Sequence, residues 1–185
     1  MALLVGTKAP NFKGIAVVGG DSADLGHDTA YAEISLEDYK GKWLLLFFYP
    51  NDFSFICPTE IEGFGKVYDE FQKLNCEVIA CSTDSRYSHF AWRRQHDLLK
   101  SLPYPMLSDI TREIAQMYDV YNPERGVAER GLFLIHPDGI INYQLVHPDG
   151  VGRNPEEALR VLEALQSGEM TPCGWKKGEP PVKKM

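Results

Sequence analysis

The run Trp43-Leu44-Leu45-Leu46-Phe47-Phe48-Tyr49 contains no charged residue and reads as a strand buried on both faces. A loop from Pro50 to Ile56 follows it. Beyond the loop, Ile61, Phe64, Val67, Tyr68, Phe71 and Leu74 recur at helical spacing, which predicts a helix over Ile61–Leu74. Pro58 suits the first helical position, because the N–H it lacks would have no partner there. Cys57 therefore falls where a buried strand hands over to a helix. The unpaired N–H groups and the positive end of the macrodipole favour an anion at such a point, and the thiolate is the nucleophilic form of a cysteine. Ser54 can offer a hydroxyl towards the same spot, and Pro50 stiffens the loop that carries both. An arbitrary cysteine is most often a small core residue. The Pro, Ser and Cys at this junction point instead to a reactive thiol.

The remainder of the chain alternates in type. Lys8 to Phe12 opens an extended segment, Val17 to Thr29 reads as loop and hairpin, and Ala32 to Leu36 as extended before a turn at Tyr39-Lys40-Gly41. Glu77 to Cys81 is a second apolar strand. Ser85 is a plausible N-cap for a helix reaching Lys100. A short strand at Met106-Leu107 and a brief helix over Thr111–Tyr118 come next. Gly131 to Ile135 and Ile140 to Leu145 flank His136-Pro137-Asp138-Gly139, a hairpin signature. The second His-Pro-Asp-Gly, at 147–150, reads as a reused turn. Asn154, Pro155 and Glu157 start a last helix with Ala158, Val161, Leu162 and Leu165 on one face. The Gly-, Pro- and Lys-rich tail beyond Ser167 reads as extended. This order predicts an α/β sandwich with a mixed β-sheet flanked by helices, a body over residues 1–167 and a tail over 168–185.

Composition narrows the function. A net charge of −7 over 185 residues argues against nucleic acid and against an anionic membrane surface as partners. Met1 to Pro10 lacks the basic and long apolar segments of a signal peptide, and no apolar run approaches the roughly 18 residues that span a bilayer. Four cysteines in such a chain fit a reducing, cytoplasmic compartment. Cysteines 57, 76, 81 and 173 form no CxxC pair and no zinc spacing with histidine, so neither a metal nor a thioredoxin-type disulfide exchanger is expected. Cys76 and Cys81 bracket an apolar strand and read as core residues. No other cofactor is called for.

Pro50-x-x-x-Ser54-x-x-Cys57, inside FFYPNDFSFICPTEIEGF, resembles the active-site loop of the peroxiredoxins, in particular the typical two-cysteine branch that includes bacterial alkyl hydroperoxide reductase peroxidase components. The resemblance spans about Gly6 to Lys176. It implies a thioredoxin-like fold and a peroxidase that reduces hydrogen peroxide and alkyl hydroperoxides. Cys57 would attack the peroxide, with Ser54 and backbone N–H groups as donors, and its sulfenic acid would pass to a disulfide. Arg130 is the expected cation, since a guanidinium is permanently charged and offers fixed donors. Glu60 either orients that arginine or simply favours the helix start. In similar proteins the resolving cysteine stands where this chain has Thr171. Cys173 lies two residues on, roughly 7 Å if extended, and becomes the expected resolving thiol across a dimer interface, with Cys76, Cys81 or an external thiol as alternatives. The resemblance further implies a thioredoxin-like or flavoprotein reductant and dimers assembling to a decamer. The Gly-Gly-Leu-Gly insertion and C-terminal Tyr-Phe of peroxide-sensitive relatives are missing, so Cys57 is expected to resist over-oxidation. A redox-regulated chaperone, a peroxide sensor and a non-catalytic scaffold are the competing readings.

Overall fold

A computed structural model describes residues 2–183. Its centre is a seven-stranded sheet of order β2-β1-β5-β4-β3-β8-β9, built from β1 (Lys13–Val17), β2 (Tyr31–Ser35), β3 (Trp43–Phe48), β4 (Cys76–Ser82), β5 (Met106–Ser108), β8 (Arg130–Ile135) and β9 (Ile141–His147). β3, β4 and β5 run parallel, while β1, β8 and β9 pair antiparallel to their neighbours. A separate ribbon pairs β6 (Tyr121–Asn122) with β7 (Val127–Ala128). The period-2 alternation of strand side chains sorts β3 between two cores. Leu45, Phe47 and Tyr49 join Ile61, Phe64, Phe71, Trp92, Ala158 and Leu162 on one face. Leu44, Leu46 and Phe48 join Phe12, Ile114, Tyr118, Phe133 and Ile135 on the other. Every residue of β3 is buried, as its uniform apolarity requires.

The helices depart from sequence expectation in three places. The helix expected over Ile61–Leu74 starts earlier and is broken, giving α1 (Cys57–Lys66) and α2 (Tyr68–Lys73) about a non-helical Val67 (φ −105°, ψ 10°). Gly63 and Gly65 weaken the end of α1, and the new turn at Val67 brings Phe71 fully into the core. The helix expected to reach Lys100 is α3 (Arg86–Gln95), capped by Ser85 as anticipated and followed by a single 3-10 turn, Asp97–Leu99. Buried Arg93 explains the early stop, because its guanidinium binds the carbonyls of Val18, Gly20, Leu99 and Leu102 and the chain must curl back to supply them. Burial lowers the Arg93 pKa to about 10 against the weaker opposing pull of Tyr104 and Asp21. The helix expected over Thr111–Tyr118 is shorter, α4 (Glu113–Met117), with Arg112 left-handed before it. α5 (Pro155–Ser167) matches expectation, its Asn154 carboxamide accepting from the N–H groups of Glu156 and Glu157.

The tail is not extended. Trp175 N–H donates to Pro172 O, Val182 N–H to Met170 O and the Trp175 indole to Glu179 O, so two turns fold back on α5 around a buried Trp175. The apolar indole supplies the anchor that composition obscured.

Gly131 binds the fold to its chemistry. A Cβ there would sit 2.6 Å from Val120 Cγ1 and 3.3 Å from a Phe133 ring carbon. Gly131→Ala is expected to lower the unfolding free energy in urea by about 1–3 kcal/mol, the range for overpacked cores. It should also disturb Arg130, the adjacent residue.

Candidate active site

The C-terminal end of β3 delivers Tyr49 and Pro50, both buried, to a loop in which Phe53 takes φ +54°. That conformation is uncommon for a bulky residue and marks a loop held by its surroundings. Asp52 secures it from below. Its carboxylate accepts from the Tyr49 hydroxyl (2.8 Å) and lies 2.8 Å from His89 Nδ1, and its N–H donates to Asp84 Oδ2 (2.9 Å). Burial, and the nearby Asp52 charge, push the Asp84 pKa up.

Cys57 is the first residue of α1 and wholly buried, which makes Pro58 the second helical residue and not the first. Arg130, the first residue of β8, donates from Nη1 to the Cys57 sulfur at 3.4 Å and to Glu60 Oε2. Arg153 completes the cluster. Its Nε and backbone N–H donate to Glu60 Oε1 (2.8 and 2.7 Å), its Nη2 to Glu60 Oε2 (3.2 Å) and its Nη1 to Gly131 O (2.6 Å). Three charges are thus buried together, at 3% exposure for Glu60, 2% for Arg130 and 6% for Arg153. Both guanidinium groups meet the Glu60 carboxylate, and Arg130 Nη1 also lies against the Cys57 sulfur. Burial alone would lower the Arg130 pKa, but Glu60 and then Cys57 outweigh it and hold the guanidinium above its ordinary value. Burial alone would raise Glu60; Arg153 and Arg130 outweigh it and hold the carboxyl below its ordinary value.

Of the residues singled out in the sequence, Cys57, Glu60 and Arg130 come together, and Glu60 accepts from Arg130 as well as standing in the first turn of α1. Pro50 lies buried at the end of β3. Ser54 does not reach the sulfur here: its hydroxyl donates to Asn51 O at 2.8 Å. Cys173 is exposed and unpaired in the turn beside α5. Cys76 and Cys81 are buried, and burial pushes both thiols far up, which keeps them protonated and weakly nucleophilic. Arg153 was missed in the sequence. A cation immediately before a helix N-cap opposes the macrodipole, and that misfit was the signal available. Asp149 was missed too. It accepts from Arg130 Nε through its carbonyl (2.8 Å) and from Nη2 through its carboxylate (3.3 Å). Among the described residues no group of three or more His, Cys, Asp and Glu could hold a metal ion, and no helix is long and apolar enough to cross a membrane.

This geometry can do a defined chemistry. A buried thiol at a helix start, touched by a fixed cation, can attack an electrophilic oxygen while the guanidinium holds the charge that develops.

Known proteins share this arrangement of sequence. Residues 5–144 match the AhpC/TSA family. Alkyl hydroperoxide reductase C of Mycolicibacterium smegmatis is 44% identical, covering 98% of this chain and 95% of its own. Peroxiredoxin 1 of Brugia malayi is 47% identical, covering 95% of this chain and 76% of its own. Among solved structures, Mycobacterium bovis AhpC superposes with a TM-score of 0.87 at 41% identity, over 94% of this chain and 98% of that one. The reduced 2-Cys peroxiredoxin of Plasmodium vivax gives 0.89 at 36% identity, over 98% and 94%.

Proposed function

From the premise that this chain belongs to the AhpC/TSA family, as a peroxiredoxin of thioredoxin-like fold and a thiol-dependent peroxidase, we propose that Cys57 is its peroxidatic residue and Cys173 its resolving residue. The observation that carries the reading is the 3.4 Å contact from Arg130 Nη1 to the Cys57 sulfur inside a buried cluster with Glu60 and Arg153. The substrates are hydrogen peroxide and alkyl hydroperoxides. The Cys57 thiolate attacks one peroxide oxygen, the O–O bond breaks, and water or an alcohol leaves once protonated. Arg130 and the Cys57 backbone N–H hold the charge on the departing oxygen, since Pro58 has no N–H and those of Thr59 and Glu60 donate to Ile56 O, and Ser54 joins them on rotating from Asn51.

The sulfenic acid then meets Cys173 of a second subunit, forming a disulfide and releasing water. Exposure of Cys173 supports this, as does the deep burial of Cys76 and Cys81. In this scheme residues 1–167 form the catalytic body, 168–185 carry the resolving thiol, and a thioredoxin-like or flavoprotein reductant closes the cycle in the cytoplasm. Phe53 (55% exposed), Phe55 (95%) and Tyr87 (54%) present apolar surface that supports association of dimers into a larger ring, a decamer in this reading.

The test is Cys173→Ser under peroxide. A sulfenic acid trapped by dimedone on Cys57, with turnover lost, is the expected result; unimpaired disulfide formation would assign resolution elsewhere. A second outcome concerns endurance. With no Gly-Gly-Leu-Gly insertion at residues 97–103, resolution outruns further oxidation in this reading. Activity is therefore expected to persist through many turnovers at micromolar peroxide, without the mass gain of a sulfinic acid. Rapid inactivation would contradict that.

A further inference from the structure

The tetrapeptide His-Pro-Asp-Gly occurs twice in this chain and serves two different ends. In the first copy Asp138 stays local, accepting from Ile140 N–H (3.1 Å) and pairing with His136 Nδ1 (2.7 Å), which shapes the β8–β9 turn. In the second copy the turn is closed by Val151 N–H to Pro148 O, and Asp149 points its polar atoms into the cluster around Cys57. Its backbone carbonyl takes Arg130 Nε at 2.8 Å and its carboxylate takes Nη2 at 3.3 Å. One residue thus grips one whole edge of the guanidinium.

That grip has a geometric consequence. A guanidinium is a rigid planar fork. With the Nε/Nη2 edge held by Asp149, the remaining nitrogen, Nη1, is the one turned to the Cys57 sulfur and Glu60. Asp149 is itself tied from outside, since Arg125, in the turn between β6 and β7, donates Nη2 to its other carboxylate oxygen at 2.5 Å. Arg125 is in turn braced by Asn122 Oδ1, which accepts its backbone N–H at 3.1 Å. The chain of contacts runs from half-exposed Asp149 (44%) to an arginine only 2% exposed.

We propose that Asp149, held by Arg125, is a positioning residue for the peroxidase reaction: it fixes the rotation of the Arg130 guanidinium so that Nη1 meets the reacting sulfur. This rests on Cys57 being the peroxidatic residue. Without the carboxylate, the Nε bond to the Asp149 carbonyl and the Nη1 bond to Glu60 remain, and the plane loses one of the contacts that set its rotation. Because the outer pair is solvent-exposed, salt screens it far more than the buried pairs of Glu60.

The experiment is stopped-flow measurement of Cys57 oxidation by hydrogen peroxide in the full chain, alongside the later disulfide-forming step and the urea midpoint. Asp149→Ala is expected to lower the second-order oxidation rate about tenfold, the scale of one charge-assisted hydrogen bond, with the resolving step and the midpoint unmoved. Asp149→Asn, whose amide oxygen still accepts from Nη2, is expected to recover most of that loss. Arg125→Met should fall between, and should abolish the salt dependence of the wild-type rate. An Asp149→Ala rate equal to wild type overturns the assignment. So do equal losses in the Ala and Asn variants, which would make charge rather than orientation the cause, and so does a loss shared by both steps with a lowered midpoint. If wild-type Cys57 itself were not oxidised, the reading of Cys57 would fail instead. A fast wild type with an equally fast Asp149→Ala would remove only Asp149 from the scheme.

Discussion

Arg130→Met is expected to slow oxidation of Cys57 by hydrogen peroxide about 10²–10³-fold, the loss typical of removing one preorganised donor at a developing negative charge. Arg130 is where three requirements meet. Its charge is permanent, it lies 3.4 Å from the sulfur, and it is 2% exposed, so little water competes with it. Methionine keeps the apolar stem and removes the cation, so a loss of rate reports chemistry more than packing. Arg130→Lys restores a charge without the fork and should lie between, because it cannot serve Cys57, Glu60 and Asp149 at once. Competition against a second peroxidase measures the rate constant for each variant. A rate within about threefold of wild type for Arg130→Met would remove the arginine from the mechanism.

The second large effect is on stability. Glu60→Ala is expected to cost about 3–5 kcal/mol in urea unfolding, because deleting one partner of a buried ion pair leaves an uncompensated charge. Arg130 retains Asp149, but Arg153 loses its contacts with the Glu60 carboxylate and keeps Gly131 O and the face of the Phe47 ring. Against a total stability of about 5–15 kcal/mol, that loss puts the variant near unfolding. The pH dependence follows from the direction of the Glu60 shift. Its folded-state pKa lies below the unfolded value of about 4.3, since Arg153 and Arg130 outweigh the burial that would raise it. The unfolded chain therefore binds the extra proton first, and the Glu60 contribution is complete above the unfolded value and lost as pH falls through the folded one. The gap between wild type and Glu60→Ala should be widest near neutral pH and close in acid. A gap independent of pH would contradict the ion-pair account.

What the sequence made legible was local. The β3 run announces its burial because every residue is apolar, the Asn154-Pro155 start of α5 because capping chemistry is short-range, and the β8–β9 hairpin because its turn residues are distinctive. Cys57 was singled out by its place between a buried strand and a helix and by the Pro50-x-x-x-Ser54-x-x-Cys57 motif, and Arg130 by the place an arginine holds in similar proteins. What stayed hidden depends on partners distant in sequence. Arg93 ends α3 by collecting carbonyls from Val18 and Gly20, and no window around Gln95 reveals them. The β6–β7 ribbon has only two residues per strand, too few for a periodic signal. Arg153 and Asp149 look like ordinary loop charges until the fold sets them against Glu60 and Arg130. Ser54 shows the opposite limit: a residue correctly placed in the loop whose hydroxyl is turned to Asn51.

The central claim is that Cys57 is oxidised by peroxide and handed to Cys173, displaced by two residues from its usual place in the family. Peptide mapping under non-reducing conditions, after one equivalent of hydrogen peroxide, tests it most directly. The account predicts a disulfide joining the Cys57 and Cys173 peptides of two subunits, with Cys76 and Cys81 still free thiols. A Cys57 peptide left reduced, or joined to any other cysteine, would contradict it.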